Sequence, residues 1–231
     1  GYGESCAEVY NANFDYYQDL NYLNEGTYEV RVQGFYRAGS SVDDYKTYTE
    51  APDHKNYAFI YAMASDSVVR SIPMARLASL AAPCDSTMEL ASGYVYAQTP
   101  DSTNNNVGYY VANTMATAQT EFSNGNYKNE GLFVKVAADG KLRIGIKKEV
   151  QLDINWTIWD SWQLIYYGKD SQQALTGDAS ASIDNAIGEV QTVNVEYFTL
   201  DGRKALRAQK GILIQKMTLS NGNVIVKKVR K

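Results

Sequence analysis

The alternation of apolar and polar positions is clearest between Gly131 and Gly168, where it indicates three β-strands. Apolar residues occupy every second position from Leu132 to Val136 and again from Leu142 to Ile146, with an Ala-Asp-Gly turn between the two runs. Because strand side chains point alternately to opposite faces, this pattern predicts two antiparallel strands that pair through the turn and bury one face. On the same argument, one face of a third strand carries Ile158, Trp162, Leu164 and Tyr166.

Patterns of the same kind predict the strands, helices and loops in the rest of the chain up to Gly168. Strands are predicted at 6–10, 14–20, 27–37, 56–64 and 68–72. A short helix is predicted at 73–82, and a second one runs from an N-cap at Asn113 through Glu121. Residues 38–55 lack apolar periodicity and are predicted to form a long polar loop; loops beyond about 12–15 residues are usually functional or disordered, and two tyrosines favour an ordered one.

The composition changes after Gly168, and this change divides the chain. The segment KDSQQALTGDASAS consists of small polar residues without apolar periodicity, which is typical of a linker. Beyond it, strands are predicted at 193–199, 211–219 and 224–229, in a piece too small to bury much surface alone. We therefore predict an all-β chain with a main domain at 1–169, a linker at 170–188 and a small C-terminal β-domain at 189–231.

Composition and charge narrow the classes of function. The chain has 19 tyrosines and 3 tryptophans against 6 phenylalanines, and aromatic residues with a polar tip suit strands and wet binding surfaces. A net charge of −4 argues against a nucleic-acid partner, which usually requires a basic footprint. No apolar run approaches the roughly 18 residues of a membrane-spanning helix. Cys6 and Cys84 are expected to be unpaired, with a disulfide as the alternative in an exported protein.

Four segments occur in the order LNEGTYEVRVQGFYR, VANTMATAQTEFSNGNY, LFVKVAADGKLRIGIKK and WTIWDSWQLIYYG. Taken together, this order resembles a group of secreted proteins from Bacteroides-type bacteria that carry a galactose-binding-domain-like jelly roll. That β-sandwich is shared by many carbohydrate-binding modules. The resemblance covers residues 5–168, and it implies a jelly-roll fold without naming a ligand, because function depends on the site and not on the fold.

The tail resembles a second group of sequences. Its segment VEYFTLDGRKALRAQKGILIQKMTLSNGNVIVKKV is similar to the short C-terminal β-domains of exported Bacteroidetes proteins, some of which act as type IX secretion signals. The chain begins GYGES without a signal-type apolar segment, and we expect that a targeting peptide was removed. Both resemblances imply an exported protein that is periplasmic, outer-membrane-associated or extracellular.

Sugar-binding jelly rolls often hold their ligand on loops at one end of the sandwich, where a pyranose ring packs on aromatic side chains and polar groups bond its hydroxyls. Here the loops at 37–55 and 152–159 carry such residues. The hypothesis is an aromatic platform with two polar contacts, formed by Tyr45, Tyr48, Trp156, Arg37 and Asn155. The alternative is that Trp156 caps the core and that the tyrosines are scattered over the surface.

Asp160 has the parity of Ile158 and is expected to point inward, where a carboxylate needs hydrogen bonds or a cation. In several related modules a structural calcium lies between a glutamate on the first strand and an aspartate on the last, and Glu8 and Asp160 occupy comparable places. Asp153 or Asp15 could contribute as well. The alternative is an aspartate that accepts hydrogen bonds from loop amides; no other cofactor is expected.

No catalytic motif is present. His54 has no nucleophile or paired carboxylate in a catalytic setting beside it, and acidic pairs on loops are usually solvated. We therefore predict a non-catalytic protein that binds a glycan or surface polysaccharide. The alternative is a structural or protein-interaction module of a cell-surface assembly, with surface proteins as partners. An exposed aromatic pocket beside Trp156 would favour the first function, and an uncovered apolar sheet face the second.

Overall fold

The computed structural model describes residues 6–51, 55–104, 106–177, 192–199, 204–205, 212–219 and 224–230. The chain divides into two compact units, Gly1–Ala181 and Ser182–Lys231. Most of the predicted linker lies outside the described residues, as do His54 and the turns predicted at 200–203 and 220–222.

The first unit consists mainly of strands. In chain order they are β1 (Ala7–Tyr10), β2 (Phe14–Leu20), β3 (Gly26–Arg37), β4 (Ala58–Ala64), β5 (Val69–Pro73), β6 (Ala75–Arg76), β7 (Ala82–Asp85), β8 (Tyr94–Gln98), β9 (Val107–Ala112), β10 (Leu132–Val136), β11 (Leu142–Lys148) and β12 (Trp156–Gly168). The helices are α1 (Ser41–Glu50) and α2 (Met115–Ser123), and two 3₁₀ turns cover Leu77–Leu80 and Ser102–Asn104.

Two sheets, antiparallel except for the short β6, pack face to face and bury two clusters of apolar side chains between them. We call them sheet A, with the strand order β1-β12-β3-β10 and the short β6 alongside β3, and sheet B, with the order β2-β11-β4-β5. One buried cluster joins Val30 and Val134 of sheet A to Ala62 and Leu142 of sheet B. A third sheet, β7-β9-β8, and α2 contribute to a further cluster on the opposite face of sheet A, around Phe35 and Phe122.

The all-β class is confirmed, and so are the strands predicted in the first 72 residues, which begin and end within two residues of the predicted bounds. The predicted hairpin at the Ala-Asp-Gly turn is wrong. β10 pairs with β3 in sheet A, whereas β11 pairs with β2 and β4 in sheet B. Gly140, at φ 66°, helps to carry the chain from one sheet to the other. The two strands therefore face each other across the core instead of pairing side by side.

The prediction that Ile158 and Trp162 share one face of β12 is also wrong, because the strand contains a β-bulge. Its pairing with β3 shifts by one residue between Asp160 and Gln163, and Ser161 adopts φ 56°. A bulge adds one residue to a strand and so reverses the parity beyond it. As a result Ile158 faces the cluster with α2, while Trp162 packs on the opposite side of sheet A, together with Trp159.

The helix predictions need three corrections. Residues 41–50 form α1 instead of a loop; Ser40 caps it by accepting a hydrogen bond from the Asp43 amide at 3.1 Å. The segment predicted as a helix at 73–82 contains β6 and a 3₁₀ turn. The N-cap of α2 is Thr114, one residue after the predicted Asn113.

The second unit contains β13 (Thr192–Phe198), β14 (Lys204–Ala205), β15 (Ile212–Leu219) and β16 (Val224–Arg230). They form one antiparallel sheet in the order β14-β13-β15-β16. Three of these strands match the predicted segments to within one residue.

Candidate functional site

A pocket of about 400 Å³ lies at one end of sheet A, and we call it the Trp156 pocket. It is lined by Glu8, Tyr10, Arg37, Asn113, Thr114, Met115 and Trp156. The strand register builds one wall, because Tyr10 pairs with Trp156 across β1 and β12, and Trp156 pairs with Arg37 across β12 and β3. The opposite wall is the start of α2. The pocket thus depends on three strands that come from distant parts of the chain.

Trp156 is fixed at the base of this pocket and is only 4% exposed. Its indole packs edge-on against Phe35, with ring centroids 5.3 Å apart. The indole Nε1 donates a 2.6 Å hydrogen bond to a carboxylate oxygen of Glu8, 148 positions away in the chain. The Trp156 ring is therefore part of the core and of the pocket base, and it is not an exposed stacking surface.

Arg37 brings a buried positive charge to the wall. Arg37 is 6% exposed, and the loss of water on burial lowers the pKa of its guanidinium. One terminal nitrogen donates to the Asn113 side-chain oxygen and the other to the Ile154 carbonyl at 3.1 Å, while Nε has no hydrogen-bond partner among the described residues. A buried charge usually needs a full set of partners. This guanidinium has only neutral ones, and the carboxylate of Glu8 lines the same pocket.

Tyr10 supplies the exposed aromatic ring of the pocket, since 57% of this residue is open to solvent. The pocket thus offers a phenol ring, donors on Arg37, and acceptors on Glu8 and Asn113. Such a set can pack against the C–H face of a polyhydroxylated ligand and bond its hydroxyl groups.

The predicted platform is not formed. Tyr45 and Tyr48 lie on α1 and do not line the Trp156 pocket. Tyr45 stacks on Tyr109 at 5.0 Å between ring centroids, and Tyr48 lies 5.8 Å from the Arg76 guanidinium. The reason is that residues 41–50 are helical, so the two tyrosines pack against their neighbours instead of extending from a loop.

Asn155 lies next to Trp156 but does not line the pocket. It is 1% exposed; its amide nitrogen donates to the Leu152 carbonyl, and its side-chain oxygen is buried without a partner in the part of the chain that the structure describes. Of the five residues predicted to bind a glycan, the structure therefore brings together Arg37 and Trp156, with Asn155 behind them.

Sequence reasoning missed Tyr10 and Asn113 and assigned Glu8 to a metal. Only the pairing of β1 with β12 makes Tyr10 a neighbour of Trp156, and no local pattern encodes a pairing between segments so far apart. β1 has the sequence AEVY with three exposed residues, so no apolar alternation pointed to Tyr10.

Glu8 and Asp160 line different pockets. Glu8 is bound by the Trp156 indole, and an oxygen of Asp160 accepts from the amide of Ser161, its neighbour within β12, at 2.6 Å. Calcium takes about 6–8 oxygen ligands. Among the described residues no group of three or more metal-ligating side chains occurs. The residues present do not fit a calcium ion, and the calcium site stays a prediction without support from this arrangement.

The acidic residues of α1 serve the fold. The Asp43 carboxylate accepts from the Ser40 hydroxyl at 2.6 Å, and Asp44 forms a buried ion pair with Arg76 at 2.7 Å. Cys84 is a free, buried thiol, and Cys6 is buried as well.

No protein-family model matches the chain, and neither a curated protein nor a solved structure matches it. Within the described part of the chain, no helix is long and apolar enough to cross a membrane.

Proposed function

We propose that the first unit is a non-catalytic carbohydrate-binding module of an exported bacterial protein, and that it binds its glycan in the Trp156 pocket. The glycan contacts Tyr10 by stacking, and it exchanges hydrogen bonds with Glu8, Arg37 and Asn113.

The observation that carries the proposal is that the Trp156 pocket contains an exposed ring, Tyr10, and two side chains of opposite charge, Glu8 and Arg37. Arg37 and Glu8 line one pocket, so their charges balance and a neutral ligand is favoured over an ion. Charged groups also form stronger hydrogen bonds than neutral groups, which suits recognition of hydroxyls. The exposed Tyr10 ring gives a sugar its apolar contact.

The finer fold is proposed to be a jelly roll. Strands β1 to β4 alternate between sheet A and sheet B, and so do β10 to β12. This alternation is what a jelly-roll sandwich requires, and it agrees with the resemblance of the sequence to galactose-binding-domain-like proteins. For the second unit we propose a role in export, on the resemblance of its sequence to secretion tails.

The test is a titration of the whole chain against a panel of neutral glycans, followed by calorimetry on the best binder. Glu8→Gln keeps the size of the side chain but removes its charge. We expect this variant to bind about tenfold more weakly, because a hydrogen bond to a charged group is worth about 1.5–3 kcal/mol. Tyr10→Ala is expected to lose binding by a similar factor.

The matched control is Tyr22→Ala, because Tyr22 is 98% exposed and does not line the pocket. Its binding should equal that of the unaltered chain. The proposal fails if no glycan binds, or if a glycan binds equally well to the Tyr10→Ala and Glu8→Gln variants.

The alternative function, a structural or protein-interaction module, draws on the outer face of sheet B, where Tyr17 and Val69 are exposed. This face is not uniformly apolar. Arg143 lies 3.8 Å above the Tyr17 ring and pairs with Asp19 at 2.7 Å. Charged rows of this kind are typical of a solvated sheet face, so the Trp156 pocket is the better supported site.

A further inference from the structure

A second cavity, which we call the aromatic cleft, opens between the two main sheets and has a volume of about 230 Å³. Residues of β1, β2, β11 and β12 line it, and none of them lines the Trp156 pocket. Its aromatic and polar lining includes Tyr16, Trp159, Trp162, Asp160 and Gln18.

The bulge of β12 creates the aromatic lining. Trp159 and Trp162 are three positions apart, so a regular strand would point them to opposite faces. The extra residue at Ser161 instead directs both rings toward the same buried cluster between the sheets. Bulges that re-aim side chains are common beside functional sites.

The Tyr16 and Trp159 rings are inclined to each other, and the Tyr16 ring is open to solvent. The Tyr16 and Trp159 ring centroids are 5.3 Å apart with an interplanar angle of 51°. Tyr16 is 56% exposed, whereas Trp159 is 3% exposed and fixed in the core. Aromatic faces carry negative electrostatic potential, and several faces around one space attract a cation.

The charge of the residues that line the cleft also favours a cationic ligand. In the described part of the chain, the Asp160 carboxylate makes one hydrogen bond, from the Ser161 amide. No lysine or arginine is among the residues that line the cleft. Among the described residues the carboxylate therefore has no cationic partner, in contrast to the balanced charges of the Trp156 pocket.

We propose that the aromatic cleft binds a small organic cation of the quaternary ammonium type. The methyl groups contact the Tyr16 and Trp162 rings, and Asp160 supplies the opposite charge. Pockets for drug-sized ligands measure about 300–1,000 Å³. At about 230 Å³, this cleft suits a single cationic head group.

The test is a titration of the whole chain with choline, followed by the N-methyl proton signals and by tryptophan fluorescence. The comparison ligand is the neutral isostere of choline, in which a carbon replaces the nitrogen. A cation–π contact is worth about 0.5–2 kcal/mol, so Tyr16→Ala should weaken choline binding by about 2- to 30-fold. Asp160→Asn should weaken choline binding more than Tyr16→Ala does. The isostere should bind to the unaltered chain at least about tenfold more weakly than choline.

Tyr22→Ala is again the control, because Tyr22 is 98% exposed and does not line the cleft; this variant should leave choline binding unchanged. Equal binding of choline and the isostere would overturn the proposal, as would an unchanged affinity in both the Tyr16→Ala and Asp160→Asn variants or no binding of choline at millimolar concentration. Sedimentation with phosphatidylcholine vesicles identifies the source: co-sedimentation supports a lipid head group, and binding of choline alone supports a small solute.

Discussion

Asp44 is the residue whose replacement should most damage the first unit. It lies in α1, is 1% exposed, and forms an ion pair with Arg76, which is 3% exposed. Its carboxylate also accepts hydrogen bonds from the backbone amides of Ala38, at 2.8 Å, and Ala78, at 3.0 Å. Ala38 directly follows Arg37, so Asp44 also fixes the chain beside the Trp156 pocket.

The substitution Asp44→Asn keeps the shape of the side chain and removes its charge. The amide can no longer accept on both sides, and the guanidinium of Arg76 stays buried without an anionic partner. Breaking a buried pair in this way costs about 3–5 kcal/mol of unfolding free energy. With a urea m-value of about 1–3 kcal/mol per M, the unfolding midpoint should fall by at least about 1 M.

Tryptophan fluorescence measures this effect on the first unit alone, because all 3 tryptophans lie in β12, between Trp156 and Gly168. The control is Asp19→Asn, which removes one partner of the ion pair with Arg143, where the Asp19 side chain is 55% exposed. Exposed pairs contribute little, so this midpoint should barely change. Equal midpoints for the two variants would refute the reasoning.

Three further predictions follow from single contacts. Thr114→Ala should lower the unfolding free energy by about 0.5–2 kcal/mol, because it removes the N-cap of α2. Asn113→Ala should leave the cap intact and weaken glycan binding. A larger loss of helical circular dichroism in Asn113→Ala than in Thr114→Ala would contradict this. Gly34→Ala should cost about 1–3 kcal/mol in urea unfolding, because the added Cβ would lie 2.8 Å from the Ile158 carbonyl oxygen; an unchanged midpoint would show that the strands can separate at no cost. Burial raises the pKa of Tyr36 to about 12, from an ordinary value of about 10. The folded protein keeps a proton that the unfolded chain releases, so this contribution to stability is complete below about pH 10 and is lost as the pH rises through about 12. Urea midpoints measured across this range should decline, and Tyr36→Phe should make the decline shallower; an identical decline in Tyr36→Phe would exclude this residue as a cause.

Alternation in the sequence identified the strands of the first 72 residues, those between 132 and 168, and three strands of the second unit, but it predicted none of β7, β8 and β9 and gave the wrong face for part of β12. Alternation along β10 and β11 identified both strands and their buried faces, because a strand's parity is local information. It failed for α1, where polar and aromatic residues give no apolar stripe. There the helix is held by the Ser40 cap and by the tertiary ion pair of Asp44 with Arg76.

Which strands are neighbours depends on the tertiary structure. The same alternation would permit β10 and β11 to pair with each other, yet they belong to different sheets. The single extra residue at Ser161 then reversed the parity of β12 and placed Trp159 and Trp162 on one side.

The candidate sites depend on these long-range choices. Arg37 and Trp156 could be suggested from their residue types, but Tyr10 joins them only through the register of β1 on β12. Cross-strand pairing brings together residues that no local pattern connects, because the free energy of pairing comes from packing of the whole sheet. For that reason the sequence identified many of the strands of this protein, and the fold determined its pockets.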